Sequence, residues 1–273
     1  TIIMSNDVES DKLLERVRPY EVDFLYKYRQ IDSRGLERTI THNEIFLPDP
    51  TVFNDPFDCR PFITTHKSNY KKKEFYEFII KHRFPNATKK QIKKELEKNL
   101  RSKTLDNRIH LEERLLTFIK DFGIYCLTEM PDDILMWSHY SDSHRGICLQ
   151  FDATKELSIF WETYKIAYQE KYPIVNVMDM GTYDQFFNLF ATKSTHWEYE
   201  QERRAIKGPS EGGSKIYTFD PELLTGVIIG AKTSSEDEKI VLEWISQRET
   251  PTNIYRAKIN NTFYRIDIKE INC

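Results

Sequence analysis

One run, His196-Trp197-Glu198-Tyr199-Glu200-Gln201-Glu202-Arg203-Arg204, limits the folds open to this chain more than any other. Read as a strand, its side chains alternate between two faces. Glu198, Glu200, Glu202 and Arg204 then share one face, and Trp197, Tyr199, Gln201 and Arg203 share the other. Three carboxylates in a row repel one another unless cations, protons or a ligand offset the charge. Such crowding shifts pKa values and is common at reactive sites. The same letters also fit a solvated helical turn, in which Glu198 and Glu202 are only a like-charge pair at helical spacing. A helix is expected before the run, from Asp184 to Lys193 with Phe186, Phe187 and Phe190 on it, and a loop after it from Gly208-Pro209.

The rest of the chain has to supply a body for that segment. Its 273 residues suffice for one large domain or two small ones, and 39% hydrophobic with 13% aromatic residues can fill an aromatic-rich core. The net charge of -3 gives no overall pull toward nucleic acid. Cys59, Cys126, Cys148 and Cys273 have neither paired nor zinc-type spacing, and no signal peptide is read ahead of them. The expectation is a reducing, cytoplasmic setting without disulfides or a metal site. No apolar run reaches membrane-spanning length, so no membrane partner is expected. Thr1-Ile2-Ile3 reads as a remnant ahead of Met4, and residues 1–18 as an N-terminal extension with a short amphipathic helix over Asp7–Val17.

Strands are expected at Asp23–Arg29, Glu44–Leu47, Phe122–Thr128, Ile147–Phe151, Lys215–Phe219 and Leu224–Gly230, with one or two more over Tyr164–Val177. The Ile254–Ile259 and Phe263–Ile268 segments read as a terminal hairpin. On the first strand Tyr26 and Tyr28 point one way and Lys27 and Arg29 the other. Helices are expected within Ser33–Asn43, over Ile134–Tyr140, and from Ser234 or Ser235 to about Gln247. The whole reads as a mixed α+β fold: a single domain over 19–273, with a central, mostly antiparallel or split sheet and flanking helices.

Residues 67–121 read as a lysine-rich helical insertion. Between Lys67 and Lys103 there are 11 Lys and 2 Arg against 4 Glu, a local net of +9 that leaves -12 for the remainder. Helices are expected over Tyr70–His82, Lys89–Leu100 and Leu105–Phe122, the second opened by a Thr88/Gln91 capping box. The stretch is either a footprint for nucleic acid or an acidic protein or a solvated surface. It carries no aromatic stacking platform.

Two further blocks carry chemistry. In Phe53-Asn54-Asp55-Pro56-Phe57-Asp58, proline extends the residue before it and Asn and Asp make side-chain turns, with both phenylalanines expected to plug the loop into the core. Its carboxylates act either as turn formers or at a site. The stretch Trp137-Ser138-His139-Tyr140, with Asp142, His144 and Arg145 behind it, is a polar cluster beside a strand end. It is neither a serine-hydrolase arrangement nor a nucleophile elbow. Ser210–Ser214 reads as a flexible loop short enough to be a lid. Neither glycine-rich phosphate loop occurs.

Leu25-Tyr26-Lys27-Tyr28-Arg29, the Phe-Asn-Asp-Pro-Phe-Asp block, Met136–Tyr140 with His144 and Gly146, and Trp197-x-x-Glu200-x-Glu202-x-Arg204 together resemble an uncharacterised bacterial domain-of-unknown-function family. That resemblance covers about Phe24 to Gly230 and implies no activity. A second resemblance is to the ADP-ribosyltransferase superfamily, which carries a basic or His residue on an early strand, an aromatic or Ser on a middle strand and Glu-x-Glu on a late one. It implies an NAD-using enzyme acting on a macromolecule or on water, in a toxin or phage-defence setting. Arg29 or Tyr28 takes the first place, Tyr140 with Ser138 or His139 the second, and Glu200 or Glu202 the third. The middle block departs from the pattern in reading as a helix. Glu200, Glu202, Tyr140 and His139 are thereby catalytic candidates. Tyr28, Arg29, Asn54, Asp55, Asp58, Trp137, Ser138, His144 and Arg204 are candidates for holding NAD, with no metal. Two other readings compete: a nuclease or phosphohydrolase with Mg²⁺ on Asp55, Asp58, Glu200 and Glu202, and a non-enzymatic sensor or interaction protein.

Overall fold

A computed structural model describes residues 22–32, 34–64, 69–101, 108–176 and 182–271. The expected Asp7–Val17 helix lies outside them. In chain order the elements are β1 (Phe24–Arg29), α1 (Leu36–Thr41), β2 (Glu44–Phe46), β3 (Phe62–Thr64), α2 (Asn69–Arg83), α3 (Lys89–Arg101) and α4 (Arg108–Ile119). Then follow β4 (Gly123–Thr128), α5 (Ile134–Tyr140), β5 (Ile147–Asp152), β6 (Thr163–Lys165), β7 (Ala167–Gln169), β8 (Ile174–Asn176) and α6 (Tyr183–Phe190). The chain continues through β9 (Thr192–Ser194), β10 (Glu202–Lys207), β11 (Ile216–Thr218), β12 (Leu224–Ile229), α7 (Ser235–Ser246), β13 (Asn253–Ile259) and β14 (Ile266–Glu270). This is the α+β class expected, with a large, mostly antiparallel sheet.

The described residues fall into two compact units, each assembled from separate stretches of chain. One comprises Asp49–Asp121 and Ala167–Thr195; the other comprises the stretch up to Pro48, Phe122–Ile166 and the chain from His196 onward. The second unit holds an eight-stranded sheet ordered β14-β13-β12-β5-β1-β4-β10-β6. Its one parallel neighbour pair, β12 with β13, is bridged by α7, because parallel strands need a crossover whereas antiparallel ones can turn directly. Ser234 opens α7 by accepting a hydrogen bond from the Asp237 amide, with Glu236, Asp237 and Glu238 in the first turn. An oxygen-bearing cap and early acids both favour a helix N-terminus.

Register assigns the faces, since directly opposed residues of an antiparallel pair lie on the same side. Tyr26 opposes Thr128 and Gln150, Tyr28 opposes Cys148, and Glu202 and Arg204 oppose Thr128 and Cys126. These share one face, where Tyr28, Cys148 and Ile228 pack beneath Met136 and Trp137 of α5. Leu25, Tyr125, Leu127, Leu149 and Val227 lie on the other face, in a core closed by Leu36 and Ile40 of α1 and Val241 of α7. Each such side chain contributes roughly 1.5–3 kcal/mol through burial.

The first unit pairs β3 with β8 and β7 with β9, both parallel, beside α2, α3, α4 and α6. The lysine-rich helices belong to this unit. The Thr88 amide donates to Gln91 Oε1 at 2.8 Å and the Gln91 amide to Thr88 Oγ1 at 3.4 Å, completing the expected capping box. Where one or two strands interrupted by Pro173 are expected, three short ones stand, β6, β7 and β8, with Pro173 between β7 and β8. The expected helix to Lys193 stops at Phe190, and Lys193 lies in β9. Among the described residues no helix is long and apolar enough to cross a membrane.

Candidate functional site

The acidic run is not one strand. Thr195–Glu200 forms a 3-10 helix, Gln201 takes a left-handed φ of 42°, and β10 starts at Glu202. The tighter turn relieves the crowding that a continuous strand would impose. Glu198 is exposed, Glu200 is turned inward, and the strand alternation survives only for Glu202 and Arg204. The Gln201 amide donates to the Glu198 carbonyl, and Gln201's own carbonyl accepts from the Glu129 amide, which ties the turn to the end of β4.

Glu202 and Arg204 are 3% and 0% exposed. Arg204 grips Glu202 with both arms of its guanidinium, Nε to Oε1 at 2.7 Å and Nη2 to Oε2 at 3.1 Å, the geometry of a strong charge-assisted pair. On the opposite face Arg203 donates to Glu129 Oε1 at 2.6 Å. The Cys126 thiol, beside Glu202, is pushed up by burial and by that carboxylate.

Glu200 joins the run to α5. Tyr140 donates its phenol proton to Glu200 Oε1 at 2.6 Å, and the Glu200 carbonyl accepts from Thr128 Oγ1 at 2.5 Å. At the surface here, His139 is exposed and Tyr140, Tyr199 and Trp197 are half-buried. Their rings form a ladder, with centroid distances of 6.3 Å for Tyr140–His139, 6.3 Å for His139–Tyr199 and 6.1 Å for Tyr199–Trp197. A buried carboxylate thus lies against a rim of accessible aromatic faces.

Other expected site residues are placed differently. Arg29 opposes Ile147 on the opposite sheet face from Glu202, and it donates to the Arg34 carbonyl at 2.9 Å. Register therefore does not set Arg29 over Glu202; the cation that grips Glu202 is Arg204, two residues along the same strand. Lys27, on Arg29's face, donates to the Cys126 carbonyl at 2.7 Å and lies 4.9 Å from the centroid of the Tyr125 ring; burial pushes its pKa down. Tyr28 and Trp137 are core residues rather than stacking surfaces. They meet edge to face at 5.0 Å, and their polar atoms donate to the Met130 and Pro131 carbonyls.

Asn54, Asp55 and Asp58 fall in the first unit. Asp55 accepts from the Phe57 amide, a turn within the loop, and Asp58 lies 3.8 Å from Lys193 of β9. Phe57 is 62% exposed and rests on Tyr172 instead of plugging the core. The expected lid is pinned. Glu211 accepts from the Gly208 amide and from Lys207, and Tyr217 donates to the Gly213 carbonyl. Among the described residues no group of three or more His, Cys, Asp or Glu side chains gathers as a metal site.

Behind α5, Asp142, Ser143 and His144 take three successive left-handed conformations, φ 45°, 53° and 71°. Each costs a non-glycine residue roughly 1–2 kcal/mol. The turn is held by the bidentate Arg145–Asp142 pair and by the His144 amide donating to the Trp137 carbonyl. His144 Nε2 meets Ser138 Oγ at 3.1 Å, but its buried Nδ1 has no hydrogen-bond partner among the described residues. Burial, and then Lys232, holds its pKa below the usual 6.5. A histidine kept neutral this way stabilises the fold above the unfolded-chain value of roughly 6.5, and that contribution is lost as pH falls through the lower folded value. His144→Asn, which tolerates the left-handed backbone, should therefore show a shallower fall in melting temperature below about pH 6.5 than wild type. Parallel melting curves would remove His144 from the account.

No protein-family model, no curated protein and no solved structure matches this chain.

Proposed function

We propose that the chain is an ADP-ribosyltransferase-like enzyme that uses NAD, with Glu200 as its catalytic carboxylate. The observation that carries this reading is Glu200 itself, 4% exposed, held at 2.6 Å by Tyr140 and rimmed by accessible rings. When the nicotinamide–ribose bond breaks, nicotinamide leaves with the bonding electron pair and positive charge builds on the ribose. A fixed carboxylate in a largely desolvated position stabilises that charge without reorganising. An acceptor hydroxyl, amine or water then attacks the ribose carbon and passes its proton to a base, a task within reach of the same carboxylate. Tyr140 positions Glu200. His139 and Tyr199 offer faces on which a nicotinamide ring can stack. Arg204 orients Glu202 through both arms of its guanidinium. This scheme keeps one glutamate of Glu-x-Glu, Glu200, as the late carboxylate that the resemblance implies, turns Tyr140 into a positioning residue, gives stacking to His139 and Tyr199, leaves Glu202 to its clasp with Arg204, and removes Arg29.

The test is incubation of the purified chain with NAD labelled in both halves, with and without cell lysate as acceptor. Free nicotinamide, accompanied by ADP-ribose or a labelled macromolecule, is the expected result. No nicotinamide above the protein-free rate in either condition would end the proposal.

A further inference from the structure

A cleft of about 540 Å³ lies on the Tyr26 face of the large sheet, lined by Phe24, Tyr26, Gln150, Asp152, Asn253 and Tyr255 among others. Its volume suits a small organic ligand. Three features mark it as built rather than incidental.

The first is Gln150, a lone amide within the otherwise apolar β5 run Ile147–Phe151 and only 7% exposed. Its Nε2 donates to Thr225 Oγ1 at 3.0 Å, while Thr225 Oγ1 gives its own proton to the Gln150 carbonyl at 3.3 Å. That reciprocal pair fixes which end of the amide is which. Gln150 Oε1 is left as an acceptor with no protein donor among the described residues. A register shift between Leu224 and Gly226 accompanies Thr225 at this position.

The second is the aromatic lining. A Cβ on Gly226 would lie 2.9 Å from Tyr255 Cε2, so the absent side chain is what allows that ring to lie across β12. The Tyr26 and Tyr255 hydroxyls make no hydrogen bond to a described residue. Burial pushes the Tyr26 phenol up to about 12, so it keeps its proton.

The third is charge. No lysine or arginine lines the cleft, and Asp152, whose Oδ1 accepts from the Thr154 amide, stands at its wall. Acceptors and aromatic faces without cations suit an uncharged ring bearing N–H donors and repel phosphate.

We infer that this cleft is a binding site for an amino-substituted heteroaromatic ring of nucleoside size, with its exocyclic amine on Gln150 Oε1 and its plane against Tyr26 and Tyr255. The site uses none of Glu200, Tyr140 or Glu202, and the inference stands whether or not the chain turns over NAD.

The test is calorimetric titration with three amino nucleosides (adenosine, cytidine and guanosine), each beside its oxo partner (inosine, uridine and xanthosine). At least one amino nucleoside should bind at submillimolar concentration and its partner at least tenfold more weakly, because a site built around a donor rejects the analogue lacking it. Gln150→Leu should erase the preference. Tyr26→Phe removes one unshared hydroxyl and leaves the fold as it is; it should weaken binding several-fold and serves if Gln150→Leu does not fold. Absence of submillimolar binding by all three, or equal affinity within every pair, would overturn the inference.

Discussion

Arg204→Met should cost this protein about 3–5 kcal/mol, the scale seen when one partner of a buried ion pair is removed and the other charge is stranded. Glu202 would lose both guanidinium contacts while staying buried: it is 3% exposed, opposite Thr128 on one side of its strand pair and beside Cys126, whose thiol is already raised. Adding Glu202→Leu should return most of the loss, because a well-packed apolar pair of similar volume often matches a buried ion pair in stability. The double-mutant cycle therefore tells a structural clasp from two independent contributions. Urea unfolding read by tryptophan fluorescence is the suitable measurement. Trp137, Trp161, Trp197 and Trp244 all lie in the unit that holds the large sheet, so the signal reports that unit alone. Destabilisation by the double variant equal to the sum of the losses from Arg204→Met and Glu202→Leu alone would show that the pair does not act as one.

What was legible in the sequence was local. β1, β4, β5 and α5 each announce themselves through a few neighbouring residues, and the Thr88/Gln91 and Ser234/Asp237 caps are pairs three apart. The α+β class follows from that succession of elements. What was not legible depends on register between distant strands. Arg29 and Glu202 were expected together, yet Tyr26 and Glu202 both oppose Thr128, which sets the odd-numbered residues of β1 on the far face. A slip of one residue would reverse that outcome, and nothing within β1 or β10 fixes it alone. The acidic run allows both a strand and a helical turn, and the structure uses each in part. Its alternation suggests a strand, but the cost of aligning three carboxylates favours the 3-10 turn that exposes Glu198 and inserts Glu200. Gln150 is an amide in a buried apolar run, a position whose reason lies outside β5. Its partners Thr225, Asn253 and Tyr255 come from strands that only the assembled sheet brings beside it.

Glu200→Gln should lower nicotinamide release from NAD by about 100-fold or more, the range for removing one preorganised electrostatic group from a transition state. The amide keeps the volume and an oxygen for Tyr140, whose hydrogen bond to Oε1 is 2.6 Å long, but it carries no charge to set against the developing ribose cation. The loss should fall on kcat with little change in KM, since the charge arises only as the bond breaks. Tyr140→Phe should fall between the variant and wild type. Without the phenol the carboxylate remains and loses one anchor, so a drop of roughly tenfold is expected, the low end for a group that positions rather than reacts. Combining the two should cost little more than Glu200→Gln alone, because Tyr140 acts through Glu200 and has nothing left to orient. Arg204→Met offers the contrast: it should move stability first, and activity only as far as the fold is lost. A Glu200→Gln protein that melts like wild type and turns over NAD at the wild-type rate would take the reaction away from Glu200 and leave Tyr140–Glu200 as a strut between α5 and the 3-10 turn ahead of β10.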